Sequence, residues 1–210
     1  MNPLALAEKK HLRLTLRQKR RSLNRLQQKT AAKALFKNAV RSQLFIKHKH
    51  IALYLSNDGE INTQYILSFL QKTPAKIYLP TIHPLNKHEI VFCRFKKHSN
   101  LTINRFGISE PHFNGKEKMA PQNLSLVLFP LVAFDIAGNR LGMGGGFYDK
   151  AFKFKRGAAN SPPCLIGLAH DFQKQNKLPT EPWDISLGGI MTDKQIIEYD
   201  LDEFERKISK

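Results

Sequence analysis

The chain has 210 residues, 41% of them hydrophobic, and a formal net charge of +17. That length suffices for one domain with a sizeable core, and no stretch reaches the ~18 apolar residues of a membrane span. No apolar signal core follows the N-terminus, so the expected location is the cytoplasm. The two cysteines, Cys93 and Cys164, show neither a metal-ligand spacing nor a disulfide framework.

Most of the positive charge lies in the first fifty residues, which hold fourteen Lys and Arg and a single acid, Glu8. Such a bias indicates an anionic partner, which can be a nucleic acid, a membrane surface or a polyanionic small molecule. The alternative is a solvated basic helix face that has no partner.

Two basic helices are predicted within residues 4–46. Leucines recur at helical spacing through residues 4–28, with charged residues between them. This spacing places four arginines on one broad stripe of the helix: Arg13, Arg17, Arg20 and Arg21. A second helix is predicted over residues 31–45, with Thr30 as its N-cap.

The first predicted strand, residues 50–55, has the continuous apolar character of a buried parallel strand. Residues 56–59 form the turn that follows it, and Glu60 lies just beyond. Because ligands of open α/β sheets bind outside the carboxyl ends of the strands, Glu60 is placed for a binding site. It is equally consistent with an acid that favours a helix N-terminus.

Strands and helices alternate through most of the remaining chain, which favours a single α/β domain with a mostly parallel sheet flanked by helices. Pro80 is expected to end a short strand, and the last eighteen residues are expected to form an exposed tail or a final helix. The other predicted elements are a helix at 63–70, strands at 76–79, 89–95 and 164–169, a loop at 106–111 and a helix at 147–156.

Residues 124–150 are the most informative stretch. A buried strand at 124–129 ends at Pro130, and a loop with four glycines within residues 142–146 leads into the helix that begins at Phe147. A strand, a glycine-rich loop and a helix in this order commonly aim backbone N–H groups at a phosphate. Glycine is needed there because a Cβ atom blocks positive φ angles and the close approach of an anion.

The loop matches neither of two familiar phosphate motifs. It lacks the Gly-Lys-Ser/Thr of a P-loop, and the third glycine of a dinucleotide fingerprint falls on Phe147. A purely structural turn therefore remains an alternative. Asp149 is placed to hold Mg²⁺ on bound phosphates, or else is a helix N-terminal acid. Arg140 can add a charge-assisted phosphate contact.

The central residues also carry a family resemblance. Phe134-Asp135, residues 138–142, Gly144, Gly146 and residues 147–149 resemble the signature of the 5-formyltetrahydrofolate cyclo-ligases, also called methenyltetrahydrofolate synthetases. Shorter matches occur in the family's order on both sides of this motif, and together with it they extend over most of the chain: residues 13–17, 56–60, 76–80, 107–111 and 182–184. Two positions depart from the family pattern. Arg13 stands where lysine is usual, and Gly188 stands where an acid is expected shortly after Asp184.

The resemblance implies a Rossmann-like domain of the NagB/RpiA/CoA-transferase-like type. It also implies an enzyme that uses ATP and Mg²⁺ to convert 5-formyltetrahydrofolate to 5,10-methenyltetrahydrofolate, with release of ADP and phosphate. The γ-phosphoryl group passes to the formyl oxygen, N10 attacks the resulting iminium phosphate, and phosphate leaves as the ring closes. Such chemistry depends on positioning and charge neutralisation more than on covalent protein groups.

Site residues follow from the same resemblance. Arg140 and Tyr148 are the expected catalytic residues, and Asp149 and Asp184 are the expected metal ligands. The ATP-binding set is Arg13, Arg17, Arg140, Gly142, Met143, Gly144, Gly145, Gly146, Phe147 and Tyr148. The substrate-binding set is Ser56, Glu60, Tyr148 and Trp183. A core position is an equal alternative for Tyr148 and the favoured one for Trp183.

The expected partner is 5-formyltetrahydrofolate, whose polyglutamate tail the basic N-terminal region would attract. The protein is expected to act as a monomer, with neither a membrane nor a specific nucleic acid as partner. Two alternatives remain. One is a basic nucleic-acid-binding protein, although no recognition motif supports it. The other is a different ATP-dependent small-molecule enzyme on the same scaffold.

Overall fold

The computed structural model describes residues 3–156 and 161–198. Its helices are α1 (Pro3–Arg21), α2 (Arg25–Arg41), α3 (Gln64–Leu70) and α4 (Phe147–Ala151). Its first six strands are β1 (His50–Ala52), β2 (Lys76–Ile82), β3 (Ile90–Phe95), β4 (Leu101–Ile103), β5 (Ser109–Pro111) and β6 (Lys118–Met119). The remaining strands are β7 (Leu126–Pro130), β8 (Ala133–Phe134), β9 (Arg140–Leu141), β10 (Cys164–Ala169), β11 (Gly189–Thr192) and β12 (Ile196–Glu198).

One eight-stranded sheet organises the domain, in the order β12-β11-β10-β7-β1-β2-β3-β6. The five central strands, from β11 to β2, pair in parallel, whereas β12, β3 and β6 add antiparallel edges. The predicted single α/β domain with a mostly parallel sheet is therefore confirmed. Parallel pairing brings the carboxyl ends of the central strands to one edge of the sheet.

Both faces of the sheet are covered, which explains the nearly continuous apolar character of the central strands. Successive residues of β7 point to opposite faces, so Leu126 and Leu128 pack with α2 and α3 while Val127 and Phe129 pack with the α4 segment. A third cluster joins Leu16 of α1 to the β8–β9 hairpin through Val132, Ala133 and Leu141. This cluster holds α1 at the carboxyl edge.

The boundary between the basic helices lies earlier than the sequence predicted. α1 ends at Arg21, and Asn24 caps α2 by accepting from the Gln27 N–H at 2.9 Å, while the Gln27 side chain accepts from the Asn24 N–H at 2.9 Å. This reciprocal capping box satisfies two backbone donors of the first turn. Thr30 therefore lies inside α2 and is not its cap.

Pro80 does not end its strand, because β2 continues to Ile82 against β3. The Tyr78 carbonyl accepts from the Leu53 N–H at 3.1 Å, so the backbone polar groups of Tyr78 point towards β1. The backbone nitrogen of Pro80 points to the same side, because it lies two residues further along the strand. Since β1 ends at Ala52, the donor that proline lacks is not needed there.

Other predicted elements also differ from the structure. The predicted strand 50–55 is shorter, because β1 ends at Ala52. Residues 109–111 of the predicted loop form β5 and pair with β4 as a hairpin. The predicted helix 147–156 is shorter, since α4 ends at Ala151 and a 3-10 turn covers Lys153–Lys155. Residues 196–198 of the predicted tail or final helix form the edge strand β12, and residues 199–210 lie outside the described part of the chain.

No helix among the described residues is both long and apolar enough to cross a membrane. Cys93 and Cys164 are buried with free thiols.

Candidate functional site at the carboxyl edge of the sheet

Three chain segments meet α1 at the carboxyl edge of the sheet. The turn at residues 57–60 follows β1, the β8–β9 hairpin and the glycine loop follow β7, and His170 follows β10. Arg20 of α1 donates to the Leu131 carbonyl beyond β7 at 3.1 Å, and the His170 ring lies 3.2 Å from the Gly59 carbonyl. These contacts bring α1, the turn after β1 and the segments that follow β7 and β10 together.

The glycine loop has the backbone that its sequence predicted. Gly144 has φ +98° and Gly146 has φ +65°, and Gly146 is the N-cap of α4 in the left-handed region. Side chains strain this conformation, so glycine is required at these two positions. A Cβ atom on Gly145 would lie 2.8 Å from the Phe147 ring, which adds a steric reason at a third position.

Asp135 builds the turn that delivers the loop. One carboxylate oxygen accepts from the backbone N–H groups of Ala137 and Asn139, each at 3.0 Å. The other accepts from the Asn139 side chain at 3.0 Å and from the Leu178 N–H at 2.9 Å. Asp135 is buried, so these donors compensate its charge. Its part in the signature is to hold the β8–β9 hairpin closed.

The spacing predicted that the four arginines share one stripe of α1, and in the structure this stripe faces the carboxyl edge. Arg13 Nε donates to the Gly142 carbonyl at 2.8 Å, and a Cβ on Gly144 would lie 3.5 Å from the Arg13 guanidinium carbon. Arg17 Nε donates to Asp58 Oδ2 at 2.7 Å, and Arg20 Nη2 donates to the same oxygen at 2.9 Å. Arg21 donates to Asp58 Oδ1. The stripe is thus attached both to the glycine loop and to the turn after β1.

Arg140 and Asp149 form an ion pair across the glycine loop. Arg140 Nη2 donates to Asp149 Oδ1 at 2.6 Å, and the guanidinium lies 5.0 Å from the Phe129 ring centroid. Arg140 Nε is buried without a hydrogen-bond partner in the described structure. Asp149 Oδ1 also accepts from the Ile185 N–H at 3.4 Å. The two residues therefore bracket the loop as a pair.

The other expected metal ligand, Asp184, has different partners. Its Oδ2 accepts from the Glu181 N–H at 2.9 Å and from the Lys9 ammonium at 3.4 Å. Gly188, which replaces an expected acid, donates its N–H to the Leu165 carbonyl at 2.8 Å. Across residues 3–156 and 161–198, no group of three or more His, Cys, Asp or Glu is arranged to hold a metal. Of the two expected metal ligands, Asp149 is the one in the first turn of the helix that follows the loop.

Glu60 is half-buried at the carboxyl end of β1, where its Oε2 accepts from the Asn57 N–H at 3.0 Å. Burial raises the pKa of Glu60 to about 7, and the negative charge of Asp58 adds to this. The Asn57 hydrogen bond and the positive charge of Arg20 oppose the shift. Near neutral pH, Glu60 is therefore present both as the carboxylate, which accepts hydrogen bonds, and as the protonated acid, which can also donate one.

Tyr148 lies between the loop and Glu60. Its ring packs on Phe129 at a centroid distance of 4.7 Å. Burial raises the pKa of its hydroxyl, and the charge of Glu60 raises it further. The hydroxyl is therefore a neutral hydrogen-bonding group close to the Glu60 carboxyl.

The remaining expected site residues differ in exposure. Trp183 is 44% exposed, so the core position favoured from the sequence is wrong. Met143 is 47% exposed on the glycine loop, and Ser56 and Phe147 are half-buried. Phe147 meets Phe106 of the β4–β5 hairpin edge to face, at a centroid distance of 5.8 Å. The β4–β5 hairpin therefore borders the site.

Asp58, Gln28 and His170 contribute to the site without having been predicted from the sequence. Gln28 Nε2 and His170 Nε2 each lie 3.2 Å from the Gly59 carbonyl, and Asp58 joins three arginines. The Asp-Gly pair at residues 58 and 59 is a turn signal that marks this position. No local pattern distinguishes Gln28 or His170, because their partners are distant in sequence.

Together these features describe an α/β protein whose sheet edge carries cations and a glycine loop. Residues 5–193 match the 5-formyltetrahydrofolate cyclo-ligase family. The chain belongs to this family and is an enzyme of it, so the resemblance found in the sequence is confirmed.

Individual relatives agree with that assignment. The chain is 38% identical over 184 residues to the 5-formyltetrahydrofolate cyclo-ligase of Haemophilus influenzae, which covers 88% of this chain and 97% of the relative. It is 34% identical to the Escherichia coli K12 enzyme of the same name, over 88% of this chain and 100% of the relative. The solved structure of Aquifex aeolicus 5,10-methenyltetrahydrofolate synthetase superposes with a TM-score of 0.78 at 28% identity, covering 91% and 93% of the two chains.

Proposed function

We propose that the protein converts 5-formyltetrahydrofolate to 5,10-methenyltetrahydrofolate, using ATP and Mg²⁺ and releasing ADP and phosphate. The observation that carries this proposal is the hydrogen bond from Arg13 to the Gly142 carbonyl, at 2.8 Å. This contact joins the basic helix α1 to the glycine loop, so the arginines of α1 and the backbone of the loop lie beside the same region of the surface. A triphosphate is the ligand that such a combination suits.

The reaction proceeds in two steps on the substrate. The formyl oxygen attacks the γ-phosphorus of ATP, the bond to ADP breaks, and an iminium phosphate forms. N10 then attacks the formyl carbon and loses its proton to solvent, the carbon–oxygen bond breaks, and phosphate leaves with that oxygen as the five-membered ring closes. The protein's task is to align the two reactants and to neutralise the phosphoryl charge.

The nucleotide side is assigned to α1 and the glycine loop. Arg13 and Arg17 contact the phosphates as cations, and the N–H groups of residues 142–148 complete the cradle. Arg140 neutralises charge on the transferred group, supported by its position beside the loop and by its buried Nε without a described partner.

Mg²⁺ accompanies the nucleotide, and Asp149 is the carboxylate best placed to bind it. A single carboxylate is enough when phosphates and waters supply the other ligands. Asp149 Oδ1 lies 2.6 Å from Arg140, so the same pair contributes both an anion for the metal and a cation for the phosphate. Asp184 is a weaker candidate, because it lies outside the segment that follows the glycine loop, whereas Asp149 is in the first turn of α4.

The folate side is assigned to the turn after β1. Glu60 accepts hydrogen bonds from the guanidine-like edge of the pterin, which suits a carboxylate. Tyr148, whose hydroxyl feels the charge of Glu60, reaches the formyl group or stacks on the ring. Ser56 and the partly exposed Trp183 are assigned to the same substrate-binding set.

A direct assay tests the proposal. The purified protein is mixed with ATP, Mg²⁺ and 5-formyltetrahydrofolate, and the near-ultraviolet absorbance of methenyltetrahydrofolate is followed. We expect absorbance to grow only when all three reactants are present, with one ADP formed per methenyl product. Absence of the product with folded protein would overturn the proposal. Tight binding to generic RNA or DNA that weakens steeply with salt would instead favour a nucleic-acid-binding protein.

A further inference from the structure

Asp58 lies between the two halves of the proposed site. Its side chain is 11% exposed and pairs with three arginines of α1, Arg17, Arg20 and Arg21. We propose that Asp58 is a positioning residue that couples the nucleotide-binding arginines to the folate-binding turn. This inference rests on the proposed function, since it assigns the ligands of both halves.

On the nucleotide side, Asp58 orients Arg17. Arg17 Nε donates to Asp58 Oδ2 at 2.7 Å, and this is the one hydrogen bond that its guanidinium makes within the described residues. The side chain is 35% exposed at the edge of the site. Because the guanidinium is planar, fixing the Nε edge determines where the two Nη groups point. Asp58 thereby aims the outer edge of Arg17 at a phosphate.

On the folate side, Asp58 belongs to the turn that carries Glu60. The Glu60 N–H donates to the Asn57 carbonyl at 2.9 Å, and the two residues between them have positive φ, +53° at Asp58 and +72° at Gly59. Positive φ at both central residues is the signature of a type I′ turn. The direction of Glu60 therefore depends on the conformation of Asp58.

The turn is held tightly against α1. A Cβ on Gly59 would lie 2.8 Å from the backbone carbonyl carbon of Arg20, so turn and helix touch through their backbones. Gln28 and His170 both reach the Gly59 carbonyl, each at 3.2 Å. A shift of α1 must consequently displace the turn, and the reverse also holds.

Arg20 extends the coupling to the glycine loop. Its guanidinium is fully buried, with Nη1 on the Leu131 carbonyl at 3.1 Å and Nη2 between Asp58 at 2.9 Å and the Met143 sulfur at 4.0 Å. A buried cation needs a counter-charge, and Asp58 is the carboxylate that it contacts. The Asp58 cluster therefore contacts the helix, the folate turn and the loop.

Charge alone and positioning predict opposite results for Asp58→Asn. Removing a carboxylate makes the surroundings more positive, which would tighten nucleotide binding if charge alone mattered. If Asp58 positions Arg17 and Glu60, both ligands bind less well. Asparagine tolerates a left-handed backbone, so this variant removes the charge while preserving the turn. Asp171→Asn is a matched control, because Asp171 is 20% exposed, pairs with Lys194 and follows β10 at the same edge of the sheet.

Calorimetry separates the two ligands. The dissociation constant of a non-hydrolysable ATP analogue with Mg²⁺ is measured without folate, and that of 5-formyltetrahydrofolate is measured without nucleotide. We expect Asp58→Asn to weaken each by about tenfold or more, the scale of a misplaced contact. Asp171→Asn should change neither by more than about twofold. Unchanged or tighter binding of either ligand by folded Asp58→Asn would overturn the inference.

A second variant covers the case in which Asp58→Asn does not fold. Arg21 is 58% exposed, so Arg21→Ala should retain the fold while removing one partner of Asp58. We expect both dissociation constants to rise by about twofold to fivefold, as for a loosened positioning contact. If neither rises, Asp58 does not couple the two sides. Wild-type protein that binds neither ligand would contradict the proposed function itself, which is a different outcome.

Discussion

At the scale of single residues, the site combines groups whose properties depend on their neighbours. Glu60 and Tyr148 lie close enough that the charge of one raises the pKa of the other. Arg140 and Asp149 form a pair at 2.6 Å, so a change in either alters both. We therefore test the proposed folate side through Glu60 and the proposed nucleotide side through Asp149.

Glu60 should produce a limb in the pH dependence of activity. Its pKa is raised to about 7, so the carboxylate that accepts from the pterin is lost as the pH falls below that value. We expect kcat/KM for folate to decrease below about pH 7 and Glu60→Gln to lose this limb together with most activity, since kcat/KM reports groups of the free enzyme. An unchanged limb in Glu60→Gln would assign it to another group.

The same shift has a consequence for stability. A carboxyl whose pKa is higher in the folded state favours folding while it is protonated. Its contribution is complete below the unfolded value of 4.5 and is lost as the pH rises through about 7. The unfolding free energy of Glu60→Gln should therefore change less between pH 4.5 and about pH 7 than that of the wild type. Denaturant titrations at these two pH values measure the difference.

Asp149→Asn should abolish most turnover without unfolding the protein. The substitution keeps the size of the side chain but removes the charge available to Mg²⁺ and to Arg140. Activity titrated with Mg²⁺, together with thermal unfolding, measures the two effects separately. Asp171→Asn is the matched control, because the two carboxylates are 21% and 20% exposed. Normal Mg²⁺-dependent turnover in Asp149→Asn would rule out the metal role.

At the scale of elements, the sequence predicted the buried strands and the glycine loop correctly, but it missed the cap of α2 and the elements that pair with distant partners. Residues 164–169 form a strand as predicted, and positive φ at Gly144 and Gly146 agrees with the loop that their spacing indicated. These features depend on burial and backbone conformation within a few residues. The β4–β5 hairpin and the edge strand β12 depend on pairing with distant partners, so the local pattern did not identify them.

The capping of α2 by Asn24 can be tested by measuring stability. Asn24 has the reciprocal capping contacts with Gln27, whereas Thr30, the cap predicted from the sequence, lies inside α2. Asn24→Ala should therefore lower the free energy of unfolding by about 1 kcal/mol. Thr30→Ala should change it by less than about 0.5 kcal/mol, because alanine is the better helix former. Denaturant unfolding of both variants measures this, and a larger loss for Thr30→Ala would contradict the capping assignment.

At the scale of the whole molecule, the positive charge is arranged in two different ways. The arginines of α1 are engaged at the site, whereas α2 carries five exposed cations at intervals of four residues and no acid: Arg25, Lys29, Lys33, Lys37 and Arg41. The sequence predicted the excess charge of this region but not this division, because it requires the position of each helix relative to the sheet.

The exposed row on α2 allows a test of the polyglutamate hypothesis. If these cations attract the anionic tail, polyglutamylated folate should bind more tightly than the monoglutamate, and the difference should shrink at high ionic strength. Lys33→Gln combined with Lys37→Gln should reduce this preference while leaving turnover of the monoglutamate unchanged. Equal salt dependence for both substrates would indicate that the row is only a solvated face.

The central claim is that α1 and the glycine loop form the nucleotide wall of a site whose folate wall is the turn at residues 57–60. A crystal structure with a non-hydrolysable ATP analogue, Mg²⁺ and 5-formyltetrahydrofolate tests it most directly. The triphosphate should lie between Arg13, Arg17 and residues 142–146, with the pterin against Glu60. A triphosphate bound away from the glycine loop, or a pterin without contact to Glu60, would contradict the account.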